Sequence, residues 1–201
     1  ARFDSAAHAS PVSLSSALSL WHALVDAADP STSGAVHIHI LSQLPAMVTS
    51  VEQHLANADV QVSAGRATLA LLRALPELQN ASTLLAGSAQ HVLELLRAML
   101  TSLTDQPRVS GLDATFEDLL VLYLSLLEEL VRACASSDAA EANAPHADDL
   151  RSLCLGAFGA VMPMLKRDVL TIPSVAEAFA QLVHVLLIMA RSALYSPTHG
   201  A

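Results

Sequence analysis

Two histidines are the residues of this chain whose spacing comes nearest to a metal site. His37 and His39 would lie on one side of a β-strand and could share a metal ion there. In a helix they would lie about 200° apart and could not. Residues 36–40 alternate between apolar and polar types as a strand does, but no partner strand is predicted elsewhere. We therefore expect a helix and no metal site.

Two pairs of adjacent carboxylates are the next candidates for chemistry. Glu128 is followed by Glu129, and Asp148 by Asp149. Paired carboxylates can act as acid and base, but neighbouring side chains on a helix diverge. We expect solvated carboxylates and helix-start charges here, and no two-carboxylate catalytic site.

The two cysteines, Cys134 and Cys154, fall on separate predicted helices. We expect both to be reduced, as in a reducing compartment, with no disulfide. The chain has no Gly-rich phosphate loop, no nucleophile elbow and no clustered metal ligands. The sequence therefore predicts no catalytic, cofactor-binding or metal-binding residues and favours a non-enzymatic protein. A helical-bundle enzyme with a site hidden from sequence patterns is the remaining alternative.

The composition predicts a helical protein. Of 201 residues, 53% are hydrophobic, 3% are aromatic and only seven are glycine, and the abundant Ala and Leu favour helices. The net charge of −9 disfavours nucleic-acid binding, which needs a basic face. The longest apolar run, near residues 182–190, is shorter than the roughly 20 residues that span a membrane. We expect no membrane insertion.

Apolar residues at three- and four-residue spacing predict about seven helices. They cover residues 12–28, 36–56, 60–75, 84–103, 115–134, 150–165 and 174–193. Residues 1–11 are expected to be a tail and residues 196–201 a terminal loop, with the helical segment between them. The sequence lacks an initiator Met, and we expect it to be a piece of a longer protein.

Residues that start, stop or bend helices add local detail to this prediction. A break is expected at Pro45, a bend at Pro163, and close helix approach at Gly156 and Gly159. Polar segments predict a turn at Ser31–Gly34, a loop near residues 105–111 and a mobile loop at Ala135–Pro145. Helix-start signals are an N-cap at Asp59 and capping boxes at Thr115 with Asp118 and at Ser174 with Glu177.

Several predicted helices are apolar on two sides, which predicts that each is covered by neighbours in front and behind. Helix pairs recur at about 50 residues, a little longer than the roughly 40–47 of HEAT-type repeats. The pattern favours a HEAT-like α-α superhelix, a right-handed solenoid of antiparallel helix pairs. The last two predicted helices form its clearest pair. A closed helical bundle is the alternative.

Three segments resemble the exportin-four branch of the karyopherin-β nuclear transport receptors. Residues 116–120 read FEDLL and lead into a Leu-rich helix. Residues 155–165 read LGAFGAVMPML and are similar to a family helix that ends in LPLM. Residues 168–173 read DVLTIP, where the family has DLLKFP. The family's aromatic pair in the last helix is Ala178-Phe179 here.

The resemblance implies a segment of a superhelical export receptor that binds protein cargo together with the GTP form of Ran. Such a receptor contacts nuclear pore proteins and shuttles between nucleus and cytoplasm. The second helix of each pair would line the concave face. That places Glu128, Arg132, Gln181 and His184 as candidate partner-facing residues, with ordinary solvent exposure as the alternative for each. A HEAT-type scaffold without a transport role is the alternative function.

Overall fold

The computed structural model describes residues 10–54, 56–78, 81–105, 114–140 and 147–195. Within these ranges the chain is all-α, as the sequence predicts, and contains no β-strand. The helices are α1 (Pro11–Ala27), α2 (Pro30–Ser42), α3 (Leu44–Glu52), α4 (Ala58–Ala74), α5 (Ala81–Asp105), α6 (Ala114–Ala140), α7 (Ala147–Val161) and α8 (Pro173–Tyr195). The tail expected at residues 1–11 is wrong at its end, because Ser10 caps α1 and Pro11 begins it. Residues 1–9, the terminal loop at residues 196–201 and most of the loop near residues 105–111 lie outside the described residues.

The region of Pro45 confirms the predicted break. The chain leaves α2 at Ser42 and begins α3 at Leu44, so one predicted helix becomes two. Proline tolerates this position because the first turn of a helix leaves its amides without intrahelical partners. The turn predicted at Ser31–Gly34 is wrong: these residues lie inside α2, which opens with Pro30. The alternating segment with the two histidines is helical, as expected.

Side-chain capping fixes two helix starts. The Ser10 hydroxyl accepts a hydrogen bond from the Ser13 amide at 3.4 Å, and the Asn57 side chain accepts one from Val60 at 3.2 Å. The N-cap of α4 is therefore Asn57 and not Asp59. Asp59 lies in the first turn instead, where a negative charge favours the positive end of the helix dipole.

The two predicted capping boxes are wrong, because both helices begin one residue earlier than expected. Thr115 follows the first residue of α6, and Ser174 follows Pro173 at the start of α8. The Ser174 hydroxyl instead donates a hydrogen bond to Glu117 on α6 at 2.5 Å. The loop predicted at Ala135–Pro145 is also wrong in part: α6 continues to Ala140, and residues 141–145 lie outside the described part of the chain.

The helices pack in two layers. One layer contains α1, α4, α6 and α8, each packed on the next, and the other contains α3, α5 and α7. Helix α2 contacts α1 and α4 of the first layer and α3 and α5 of the second. The core fills the space between the two layers. Helix α6 contacts α4, α5, α7 and α8, which confirms that it is covered on two sides; its buried residues include Leu119, Leu120, Leu124, Leu126, Leu127 and Leu130.

The relationship between α7 and α8 differs from the expected closely packed pair. Helix α8 packs mainly on α6, and α7 packs on α5 and α6. The two helices meet through stacked rings of Phe158 and Phe179, with centroids 6.4 Å apart. A Cβ at Gly156 or Gly159 would have no neighbour within 4 Å, so neither glycine permits a close approach. At Pro163, where a bend in the last helical turn is predicted, α7 has ended at Val161 and a 3-10 turn covers Met162–Met164.

Helix α8 corrects the expectation that no apolar stretch is long enough to span a membrane. Residues Pro173–Arg191, 19 in number with mean hydropathy 1.5, suffice by length and composition. His184 interrupts the apolar run in the sequence, but the mean hydropathy of the whole stretch stays high despite this one polar residue. The core helix of a soluble protein passes the same test, but such a helix is mostly buried, whereas 28% of this stretch is buried against the rest of the protein.

Candidate functional site

A polar groove of about 330 Å³ lies across α4, α6 and α8. All four residues predicted to face a partner line this groove, together with three others that the sequence reasoning did not select. The lining residues are Arg73, Glu128, Glu129, Arg132, Gln181, His184 and Val185. We call this the α4/α6/α8 groove. It forms because α4, α6 and α8 lie side by side in one layer.

Ion pairs join the two carboxylates of α6 to arginines on two helices. Glu128 is only 5% exposed and pairs with Arg132 one turn later. Glu129 lies 3.2 Å from Nε of Arg73 and 3.4 Å from Nε of Arg132. The expectation of diverging, solvated carboxylates is therefore wrong, since both side chains meet one guanidinium. Glu128 contributes charge to the groove from below its surface.

The α8 side of the groove is open to solvent. Gln181 and His184 are exposed, one helical turn apart, and Val185 beneath them is buried. The Gln181 amide donates a hydrogen bond to Glu177 at 3.4 Å, which is longer than the usual range. The groove thus offers an amide and an imidazole on one wall and half-exposed guanidinium groups on the other.

A second groove of about 520 Å³ adjoins the first, between α1, α4 and α6. Its floor is apolar. Its rim carries the ion pair Arg66–Asp118 at 3.8 Å, and Nε2 of His22 lies 3.4 Å from the Asp26 carboxylate. The lining residues are His22, Asp26, Arg66, Leu69, Ala70, Arg73, Asp118, Val121, Leu122 and Ser125. Arg73 lines both grooves, so they form one continuous face of the layer.

Sequence reasoning missed the α4 half of this face. Arg66 and Arg73 are seven residues apart, which is two helical turns, and Asp118 and Glu129 are eleven apart, which is three. Each pair therefore lies on one side of its helix. The sequence shows that the two stripes carry opposite charges. Only the packing of α4 on α6 shows that the stripes face each other.

The other candidates lie apart from this face. His37 is buried and His39 is exposed on α2, consistent with their opposite directions on a helix. Among the described residues, no group of three or more His, Cys, Asp or Glu side chains could hold a metal ion. Asp148 and Asp149 lie in the first turn of α7.

The contact between α6 and α7 holds the groups with shifted pKa values. Burial raises the pKa of Tyr123 to about 12, and its hydroxyl donates a hydrogen bond to the Ala157 carbonyl at 2.9 Å. A hydrogen bond from Cys134 lowers the pKa of the Cys154 thiol, against the opposing effect of burial. Both cysteines are buried and free.

Comparison with known proteins gives no significant match: no family model, no curated protein and no solved structure is similar to the chain. The fold and the groove identify the chain as an all-α protein with a polar groove on one face. The resemblance to exportin-four receptors rests on the quoted sequence segments alone.

Proposed function

We propose that this chain is part of a non-enzymatic binding protein in which antiparallel helix pairs stack into a right-handed HEAT-like superhelix. One observation carries this proposal: α3 packs on α5 and α5 on α7, while α4 packs on α6 and α6 on α8. From α2 onward each helix thus meets the next but one along the chain, while α1 packs on α4. Such an order is typical of arrays in which every helix pair contacts only its neighbours.

In this arrangement α4, α6 and α8 are the second helices of successive pairs, and their shared face is the binding surface. The face offers a protein partner both signs of charge within one continuous groove. Arg73 and Arg132 have half-exposed side chains, while the carboxylates they contact are largely covered. A partner carboxylate can therefore reach the guanidinium groups without first displacing the Glu side chains.

Within this class we propose a nuclear export receptor that binds protein cargo together with Ran in its GTP form. The support is the resemblance of residues 116–120, 155–165 and 168–173 to exportin-four receptors. Such a receptor would also contact nuclear pore proteins while shuttling between nucleus and cytoplasm.

The nucleotide dependence of Ran binding tests the transport proposal. Purified Ran, loaded either with a non-hydrolysable GTP analogue or with GDP, is titrated against the intact protein that contains this chain. We expect the GTP form to bind at least about tenfold more tightly, a difference of about 1.4 kcal/mol. Equal affinity for the two forms, or binding of neither, would contradict the export receptor. A HEAT-type adaptor would be indifferent to the nucleotide on Ran.

A further inference from the structure

The helices of the first layer, α1, α4, α6 and α8, run parallel to one another. Between α4 and α6, Nη2 of Arg66 lies 3.8 Å from the Asp118 carboxylate. Further along both helices, Nε of Arg73 lies 3.2 Å from the Glu129 carboxylate. The other two contacts follow the same order, with these residues hydrogen-bonded or lining one groove together: Ser15 with Ser63 and His22 with Arg66, then Glu117 with Ser174 and Glu128 with Gln181. The layer is thus built by repeating one parallel helix contact.

The large hydrophobic side chains that are exposed lie at the two ends of this array. Among the described residues they belong to α1, α2, α7, α8 and the 3-10 turn after α7, and not to α3–α6. They are Val12, Leu20, Leu24, Val36 and Ile38 at one end, and Leu153, Leu155, Met162, Leu187 and Ile188 at the other. Within the layer α4 and α6 have a helix on each side, whereas α1 and α8 have one on a single side. Exposed apolar areas of this kind mark interaction surfaces.

The side of α1 that faces away from α4 is exposed and uncharged. Ser15 and Ser19 of α1 meet the Ser63 hydroxyl of α4, so the far side of the helix carries a different stripe at three- and four-residue steps. That stripe consists of Ser13, Ser16, Leu20, Leu24 and Ala27, all exposed. It can pack against another helix without burying a charge.

The side of α8 that faces away from α6 has the same character. Gln181 and Val185 line the groove shared with α6, and the opposite stripe again recurs at three- and four-residue steps. It consists of Ala176, Ala180, Val183, Leu187 and Ala190, which are exposed or half-buried. Two uncharged stripes with this spacing can interlock as ridges and grooves.

We propose that copies of this chain stack head to tail, with the α7/α8 end of one molecule packed on the α1/α2 end of the next. In this contact α1 of one copy lies parallel to α8 of the other, so the contact continues the series that joins α1, α4, α6 and α8 within the chain. The proposal rests on the proposed stacking of helix pairs and not on the transport role. Self-association and Ran binding are measured separately, and either can fail without the other.

The size of the two ends predicts a weak contact. At about 1.5 Å per residue, the 17 residues of α1 and the 13 of α2 are about 25 and 20 Å long, and each helix is about 10 Å wide. Together they present about 450 Å² to a partner, so the contact buries about 900 Å² in total, below the roughly 1,200 Å² of stable complexes. We therefore expect a dissociation constant of about 100 µM. Because the two surfaces differ, each added copy leaves one of each free, and growth continues past the dimer.

Sedimentation equilibrium of the 201-residue chain tests the contact. Between about 2 and 200 µM, we expect the weight-average mass to rise at least about twofold, without a plateau at the dimer. Leu20 and Leu187 are 60% and 64% exposed, so Leu20→Glu and Leu187→Glu should leave the melting temperature nearly unchanged. Each variant alone should stay monomeric. Their equimolar mixture should form a dimer and stop there, because each variant supplies the end that the other lacks.

Gln90→Glu is the matched control, because it adds the same charge to an exposed position on α5, away from both ends. It should associate like the wild type, and an equal loss in this control would overturn the proposal. A monomeric wild type at the highest concentration, a mass that stops at the dimer, or a monomeric mixture of the two end variants would do the same. A monomeric chain that binds phosphatidylcholine vesicles would assign these faces to a membrane instead.

Amide hydrogen exchange of the wild type decides the question even if an end variant does not fold. Over the same concentration range, exchange should slow in α1 and α8 and stay constant in α4 and α6. Unchanged exchange in α1 and α8 would contradict the head-to-tail contact.

Discussion

Gly65 on α4 faces Leu122 on α6 so closely that a Cβ at residue 65 would lie 2.4 Å from Leu122 Cδ2 and 2.9 Å from its Cγ. No side chain larger than hydrogen fits without movement of Leu122. This contact sets how closely the two central helices of the first layer approach each other. It lies beneath the second groove, whose floor includes Leu122.

Gly65→Ala should therefore destabilise the protein, although Ala is the better helix former. Overpacking typically costs about 1–3 kcal/mol, against a gain in helix propensity of about 1 kcal/mol. The net loss should be measurable by urea unfolding. Gly87→Ala on α5 is the matched control, because a Cβ there meets nothing within 4 Å. The control should gain stability, and an equal gain in both variants would show that the helices are not in close contact.

Arg132→Gln should destabilise the protein by about 1–2 kcal/mol, less than for a fully buried pair because the Arg side chain is 53% exposed. The change leaves the buried Glu128 carboxylate without this partner, so the cost comes from an uncompensated charge. The double variant Glu128→Gln/Arg132→Gln should recover part of the loss in the same unfolding experiment. Arg97→Gln, an exposed substitution on α5, is the control. No recovery in the double variant would mean that the two side chains act independently.

Tyr123 should make stability fall at alkaline pH. Burial raises its pKa in the folded protein to about 12, from the ordinary value of 10.0. The folded state therefore holds the phenol proton more tightly than the unfolded state does, and this contribution is complete below pH 10. It is lost as the pH rises from about 10 to about 12.

Tyr123→Phe isolates this effect from the other groups that titrate in the same range. The variant should lose about 1 kcal/mol at neutral pH with the hydrogen bond to Ala157. Its unfolding free energy should then fall less steeply between pH 10 and 12 than that of the wild type. If the unfolding free energies of the two proteins fell equally steeply with pH, the raised pKa of Tyr123 would be contradicted.

Leu187 and Ile188 leave an apolar area on the outer side of α8, with exposed fractions of 64% and 49%. Replacing both with Gln should leave the melting temperature of the chain nearly unchanged, because neither side chain is in the core. Calorimetry measures the melting temperature. Val12→Gln on α1, also an exposed position, is the comparison. A large loss of thermal stability would place these side chains in the core.

The sequence predicts the helices well because each carries an apolar stripe and ends at Pro, Gly or polar residues. Pro45 marked a break that the structure has at Ser42–Leu44. The start of α4 was misassigned because Asn57 and Asp59 are equally good capping residues, and only backbone geometry distinguishes them. Such errors of one or two residues are inherent in local signals.

Contacts between residues far apart in the sequence were harder to predict. Glu128, Arg132, Gln181 and His184 were named singly from their presumed helix positions, and the structure gathers them in one groove. Arg73 was missed because its partner Glu129 comes 56 residues later.

The affinity of groove variants for Ran-GTP is the most direct measurement of whether the α4/α6/α8 groove binds the partner. Gln181→Glu and His184→Glu each add a negative charge at an exposed position on the groove wall. Gln90→Glu adds the same charge to an exposed position on α5, in the other layer. We expect each groove variant to bind at least about tenfold more weakly than the wild type and the Gln90→Glu control to bind normally. Unchanged affinity in both groove variants, or an equal loss in the control, would contradict the assignment of this groove as the binding surface.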